Sequence, residues 1–362
     1  MKMALFFTEA VSLKIWDEAG ILSREIEPYI KLGNFFDEIF FITYGSNDMD
    51  YADKLGKKIK ILPKKINVPD RIYSFLIPFL YKNELRTCDW FKTNQMLGSW
   101  SAVLAKWMLK KKLVIRCGYQ FSQSPQNWKM GILKKFIAWI IEFISYKNAD
   151  SIILTTVDAK EYVIKKYLIK SEKILVISNS INTDLFRPMS VGKKARSLIF
   201  VGRVEKEKNL EELVNAMVGS GATLDIVGSG SQIDYLSHLA KNLGVEVNFL
   251  GKVSNHDLPA IINQHEIFVL PSKYEGNPKA LLEAMACGMV VLGTDVRGIR
   301  EIIKHQENGY LSATNRVELS KSLVILFTDQ NLRKKISTQA RLYALNNSAL
   351  EETIKKELVI YH

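Results

Sequence analysis

Cysteine, histidine and proline are scarce in this chain, and each scarcity narrows what it can be. Among 362 residues there are three cysteines, five histidines and nine prolines. Cys88, Cys117 and Cys287 are odd in number and widely spaced, which argues against a disulfide framework or a zinc site. Packing in a reducing cytoplasm suits them. No run approaches the roughly 18 uncharged apolar residues of a spanning helix. The opening MKMALFFTEA has too short an apolar run for a signal peptide and reads as a first buried strand. The chain is therefore expected to be soluble or peripheral. Acidic residues are missing altogether from positions 91–140, which hold nine lysines and arginines.

What is present is an alternation of apolar strands and amphipathic helices. Strands are expected at 3–7, 39–43, 113–116, 151–155 and 174–177, with helices at 19–32, 99–109, 131–146 and 158–167. The alternation resumes from Leu198 to about Ile303 and ends in helices at 317–327 and 332–345. Such a pattern predicts parallel sheets with crossover helices, an α/β chain of two doubly wound, Rossmann-like domains. The stretch 188–196 reads as the linker, giving domains of 1–190 and 191–345. Each is long enough to bury its own core.

The richest segment is IFVLPSKYEGNPKALLEAMACGMVVLGTD. A strand runs into a Gly-Asn-Pro turn, then a short helix with Asn277 as the expected N-cap, Pro278 at its first position and Gly288 past its end. This places free N–H groups and a positive dipole end at the carboxyl end of a strand, where open α/β sheets bind phosphorylated ligands. Glu275 precedes the turn. Glu283 lies in an otherwise apolar helix, where a carboxylate needs donors such as sugar hydroxyls. A second strand, SLIFVGR, ends at Gly202 and Arg203, and Lys208 stands five residues on, at another helix start. A guanidinium and an ammonium there suit a pyrophosphate. A third turn, Val-Gly-Ser-Gly at Gly228, lets backbone approach a ligand.

The order Gly-Arg-x-x-x-x-Lys, Val-Gly-x-Gly, Phe-Leu-Gly-Lys-Val, then Glu-Gly-Asn-Pro-x-x-Leu-Leu-Glu-Ala-Met-Ala-x-Gly resembles the retaining GT-B glycosyltransferases of the large fourth sequence family, the glycosyl transferases group 1. The resemblance is strong over 197–312 and extends to VISNSINTDLFRP, where Ser180-Ile181-Asn182 replaces the family's Gly-Val-Asp. It implies transfer of a sugar, with retention, from a nucleotide diphosphate sugar. Arg203 and Lys208 would hold the diphosphate, Glu275 the donor sugar and Glu283 the ribose. Backbone at Gly276, Asn277, Pro278 and Lys279 would meet sugar or phosphate, and Lys252 and Val253 would sit beside the base. The final helix, within 346–362, would cross back to the first, acceptor-binding domain. No metal or other cofactor is expected, because fixed cations and helix termini can carry the leaving charge.

Two departures from the family stand out. Its usual histidine after the fifth strand is replaced by Val-Ile-Arg-Cys-Gly-Tyr-Gln, so Arg116, Tyr119 and Gln120 occupy the place. After the first strand there is no glycine pair; Ser12, Lys14 and Trp16 are candidates for the acceptor side. Two other readings compete: a metal-dependent GT-A transferase using Asp48 and Asp50, and a non-catalytic GT-B module binding nucleotide or membrane.

Charge is uneven. Residues 1–190 carry a net +10 and the remainder +2. The window 91–140 holds four of the six tryptophans and continues into WKMGILKKFIAWIIEFISYK. A basic, tryptophan-rich amphipathic stretch suits an anionic bilayer. The expectation is a cytoplasmic enzyme, peripheral on the inner leaflet, with a lipid-linked or saccharide acceptor in cell-surface polysaccharide synthesis and no nucleic-acid partner.

Overall fold

A computed structural model describes residues 1–118 and 131–362. The chain forms two compact units, Met1–Ser178 with Ile354–His362, and Asn179–Thr353. The first contains a seven-stranded parallel sheet of order β3-β2-β1-β4-β5-β6-β7. Its strands are β1 (Lys2–Phe6), β2 (Glu38–Ile42), β3 (Ile59–Leu62), β4 (Trp90–Thr93), β5 (Lys112–Cys117), β6 (Ser151–Leu154) and β7 (Ile174–Val176). The second contains a six-stranded parallel sheet of order β10-β9-β8-β11-β12-β13. Here the strands are β8 (Ser197–Val201), β9 (Thr223–Val227), β10 (Glu246–Gly251), β11 (Ile267–Leu270), β12 (Val290–Thr294) and β13 (Tyr310–Ser312). Central strands such as β1 and β11 are near-continuous apolar runs because helices cover both sheet faces. Each unit is thus a doubly wound α/β domain.

The structure corrects several boundaries. The division falls after Ser178, not at 190, because residues 179–196 are tied into the second unit. Ile181 bridges Ala349, Met189 donates its N–H to Asn263 Oδ1 at 3.0 Å, and Lys194 donates its N–H to the Gln264 carbonyl at 2.8 Å. The helix expected at 19–32 begins at Leu22, and a separate helix, Leu13–Glu18, precedes it. Gly20, at φ +69°, turns the chain between them. Asp48 is no metal ligand pair-member. It is buried, and its carboxylate accepts the N–H groups of Leu13 at 3.0 Å and Lys14 at 3.4 Å, fixing the helix start. With the GT-B-like pair of parallel sheets, this removes the Asp48 and Asp50 reading.

The window 91–140 is also less uncompensated than its composition suggests. Lys92 is buried and paired with Glu357 from the far end of the chain, and Lys106 pairs with Asp150 at 2.6 Å. Among the described residues no helix is long and apolar enough to cross a membrane.

Candidate active site

In the second unit the strand order reverses direction between β8 and β11, the kind of switch point at which open α/β sheets bind ligands beyond the carboxyl ends of the strands. The turns that follow these two strands carry the residues singled out by the sequence. After β8, residues 202–208 end in a short 3-10 turn, Lys206–Lys208, ahead of the helix Leu210–Ala216. After β11, residues 271–278 lead into the helix Lys279–Ala286. Lys208 Nζ donates to Glu275 Oε1 at 2.6 Å, joining the two turns across 67 residues of sequence. Both side chains are largely buried, at 15% and 10% exposure. Ser272 Oγ donates to the same carboxylate oxygen at 2.7 Å. Glu275 is therefore held by two donors. Lys273 donates its N–H to the Glu207 carbonyl at 2.8 Å, a second tie between the turns.

Arg203 is placed differently. Its Nη2 lies 3.0 Å from Glu207 Oε1, and the side chain is 61% exposed, so the guanidinium is free to swing. Glu205 caps the next turn by accepting from the hydroxyl and the N–H of Ser231 at 2.7 and 3.0 Å. Those bonds, with Arg203 nearby, hold its carboxyl below the ordinary range.

Close backbone approach fixes the β9 turn. Gly228 has φ +138°, and a Cβ built there would lie 1.9 Å from the Gly202 carbonyl oxygen. Its N–H donates to the Gly251 carbonyl at 2.7 Å, which brings the end of β10, and so Lys252 and Val253, to the same group of turns. A residue with side chain at 228 would push the β8 turn aside.

The helix Lys279–Ala286 starts one residue later than expected. Pro278, extended at φ −70° and ψ 112°, is the N-cap and supplies no side-chain bond. Asn277 instead accepts the Asn179 N–H on Oδ1 at 2.9 Å, while its carbonyl accepts from Asn179 Nδ2 at 2.7 Å. The proline disfavours helical backbone at the preceding residue, so Asn277 turns outward to this clamp. The helix thus has a positive dipole end without a capping side chain. Glu283 lies inside it and is buried. At the far end, burial and then Glu283's charge push the Cys287 thiol up to about 12, which makes that thiol inert packing. Gly288 closes the helix at φ +67°.

Three positioning residues escape sequence reasoning. Ser272 and Asn179 are ordinary polar residues whose partners are visible only in space. Gly298 has a signal, the Arg-Gly-Ile-Arg turn after β12, but no spacing identifies it. A Cβ there would lie 1.8 Å from the Gly276 carbonyl oxygen, so the loop bearing Glu275 and Gly276 rests directly on it. The described first-unit candidates each have a partner of their own. Lys14 is an exposed partner of Glu18 at 3.7 Å. Trp16 is buried and stacked on Phe7, with ring centroids 4.6 Å apart, so it belongs to the core. Arg116, at the end of β5, is half-buried, and its N–H donates to Thr93 Oγ1 at 3.0 Å. Tyr119 and Gln120 lie outside the described residues.

Two family models match adjoining parts of the chain: glycosyltransferase family 4 over 37–185 and glycosyl transferases group 1 over 183–343. An uncharacterized glycosyltransferase of Methanocaldococcus jannaschii is 30% identical over 61% of this chain and 62% of its own. The UDP-Gal:alpha-D-GlcNAc-diphosphoundecaprenol alpha-1,3-galactosyltransferase of Escherichia coli is 25% identical over 65% of this chain and 66% of its own. For N-acetyl-alpha-D-glucosaminyl L-malate synthase of Bacillus anthracis the figures are 28%, 50% and 49%, so the chain spans about half to two thirds of these curated relatives. Among solved structures, Anabaena HepE in complex with UDP superposes with a TM-score of 0.80 at 15% identity, covering 100% of this chain and 99% of HepE. At that identity the likeness concerns the fold. With two parallel-sheet domains and contiguous family matches, the chain is a glycosyltransferase of group 1, built on the GT-B fold.

Proposed function

We propose that this chain transfers a sugar, with retention at the anomeric carbon, from a nucleotide diphosphate sugar to a lipid-linked saccharide at the cytoplasmic face of a membrane. Assembly of a capsule, O-antigen or exopolysaccharide is the setting that fits such an acceptor. The observation that carries the donor half is the pair of Lys208 and Glu275 at the switch between β8 and β11, beside the start of the helix Lys279–Ala286. As the glycosidic C–O bond to the phosphate breaks, negative charge grows on the leaving diphosphate. A preorganised cation and a helix N-terminus stabilise that charge without reorganising during the reaction. Lys208 is already held, and Arg203 swings in from Glu207 to bind bidentately. Glu275, held by Lys208 and Ser272, orients donor-sugar hydroxyls, and Glu283 takes the ribose. These cations make a metal unnecessary in this reading, so activity should survive EDTA.

The acceptor half rests on what relatives do. The Escherichia coli relative is named for a diphosphoundecaprenol-linked acceptor, and a Campylobacter jejuni relative at 26% identity for a diphosphate-undecaprenol-linked saccharide. The exposed lysines of the tryptophan-rich stretch 91–147, Lys134 and Lys135 among them, support a location at an anionic surface, where each adds about 1 kcal/mol. Calorimetry against UDP, GDP and ADP, followed by NMR of the product formed from the matching sugar nucleotides, tests the reading. Saturable binding of one nucleotide and an α-configured product from an α-linked donor are expected. No nucleotide binding, or an inverted product, overturns it.

A further inference from the structure

The first unit carries an apolar surface that its described residues leave uncovered. The helix Asp70–Leu80 buries Tyr73, Ser74, Ile77 and Pro78 against the unit, which is an ordinary inward stripe. Its opposite face is apolar too: Ile72, Phe75 and Phe79 are 52%, 51% and 57% exposed. At spacings of three and four residues they form one row along the helix. A crossover helix normally turns polar residues outward, and one that is apolar all round is covered by something.

This row continues across two neighbouring helices. Phe75 stacks on Trp100 of the helix Ser99–Leu109, with centroids 6.2 Å apart, and Trp100 Nε1 donates to Ser74 Oγ at 2.8 Å. That helix also presents Trp107, 56% exposed, whose Nε1 donates to Asn148 Oδ1 at 2.8 Å. Asn148 ends the helix Ile132–Asn148, and a bond of 2.6 Å between the hydroxyls of Ser99 and Ser145 ties the two helices again. The third helix exposes Lys134 and Lys135 among further apolar residues. Only two carboxylates occur on these three helices. Asp70 is neutralised by Lys64 at 2.7 Å, and Glu142 is buried, accepting from the Tyr167 hydroxyl. The free charge of this layer is positive.

We infer that these three helices form one bilayer-docking face, in which Ile72, Phe75, Phe79 and Trp107 enter the interface and Lys134 and Lys135 meet anionic headgroups. A second copy of the chain is disfavoured, since two such faces would bring like charges together. An anionic lipid surface satisfies both the apolar row and the lysines. The helix Asp70–Leu80, outside the basic window, then supplies most of the insertion. This deepens the membrane half of the proposed function and is independent of the donor site.

Vesicle sedimentation tests it, with vesicles of phosphatidylcholine alone or mixed equally with phosphatidylglycerol. Wild type should bind the mixed vesicles and weaken as salt rises. The exposed triple variant I72S/F75S/F79S should bind them at least about tenfold less, while its thermal midpoint and nucleotide affinity stay unchanged. K134E/K135E should lose most of the preference for anionic vesicles. Wild-type binding by the triple variant, or equal recovery of wild type with both vesicles, overturns the docking face. So does absence of vesicle binding with a dimer in ultracentrifugation that the triple variant dissolves, which assigns the face to a second copy. Failure of nucleotide binding with vesicle binding intact would sink the transferase reading and leave this one standing.

Discussion

Each unit contains a buried lysine paired with a glutamate distant in sequence, and the two pairs stand in different surroundings. In the first unit Lys92, in the interior of β4, meets Glu357 near the chain's end. Tyr361 donates to the same carboxylate at 2.7 Å, and the Tyr29 ring lies 5.0 Å from the ammonium. Aromatic rings enclose this pair, and its office is to pin Ile354–His362 to the sheet. In the second unit Lys208 meets Glu275 beyond the strand ends, beside glycine turns and a helix start. A buried ion pair alone is thus poor evidence of a site. Under the proposed function, its place relative to the carboxyl ends of the strands is what separates chemistry from fastening.

The largest expected effect is on the fastening pair. Lys92→Met removes one partner and leaves Glu357 charged among aromatic rings, a change that costs about 3–5 kcal/mol. Urea unfolding should show that loss while nucleotide affinity holds. Lys92→Met with Glu357→Leu should recover most of it, because the uncompensated charge is gone. A nucleotide-binding defect in the single variant, with the fold intact, would erase the contrast between the two pairs.

Next comes the pair to which the proposed function assigns chemistry. Lys208→Ala should lower turnover by about two orders of magnitude, the usual loss for one electrostatic stabiliser. Adding Glu275→Gln should restore stability but not turnover. Arg203→Ala should match the fall in turnover without a change in stability, since its side chain is exposed. Near-normal turnover in Lys208→Ala would reduce this pair to another fastener.

A smaller effect is expected at Gly298. A methyl group there meets the Gly276 carbonyl, so Gly298→Ala must displace the loop that carries Glu275. Turnover should fall about tenfold, as misplacing a positioned group does, with free nucleotide binding nearly kept. Calorimetry and steady-state rates on one preparation decide it. Equal losses of binding and turnover would mean that the loop holds the nucleotide and not the sugar.

The sequence makes the local half of this site legible. Glycine turns, Arg203, Lys208 and the Glu-Gly-Asn-Pro turn lie within short segments whose spacing reflects strand-to-helix geometry, and both sheets follow from the alternation of elements. What joins distant segments is illegible. Nothing in sequence pairs Lys208 with Glu275, rests Gly276 on Gly298, or directs Asn277 to Asn179 and away from its own helix. Asn277 looks like an N-cap by residue type, yet the following proline takes that position. The basic window misleads for the same reason: Lys92 finds its partner 265 residues away. The stretch 44–98 has no element in the sequence reading, although it holds β3, β4 and the helix Asp70–Leu80. That helix carries Pro78 in its interior and keeps its two charged residues, Asp70 and Arg71, at its start, so it reads as a broken apolar run.

A third ionic cluster sharpens the comparison at its weakest expected effect. Asp225 sits in the interior of β9, buried, with Lys194 Nζ at 2.7 Å, Asn248 Nδ2 at 2.9 Å and His265 Nε2 at 2.9 Å. Because it lies within a strand and not beyond one, the rule drawn from the two lysine pairs makes it a fastener. Burial alone would raise its carboxyl, but the bonds from Lys194, Asn248 and His265 outweigh burial and hold it below the ordinary aspartate value. A group depressed in the folded state contributes stability that is fully present above its unfolded value, near about 4. That contribution is lost as pH falls through the folded value. Asp225→Asn should therefore be less stable than wild type at pH 7, and the gap should close as pH drops below about 4. Turnover at neutral pH should be unchanged wherever the variant is folded. Urea midpoints across the acid range measure the first expectation and steady-state assays the second. A constant stability gap would show that the carboxylate's charge is not what the cluster uses, and a turnover defect in folded protein would break the rule that position along the strand separates fastening from chemistry.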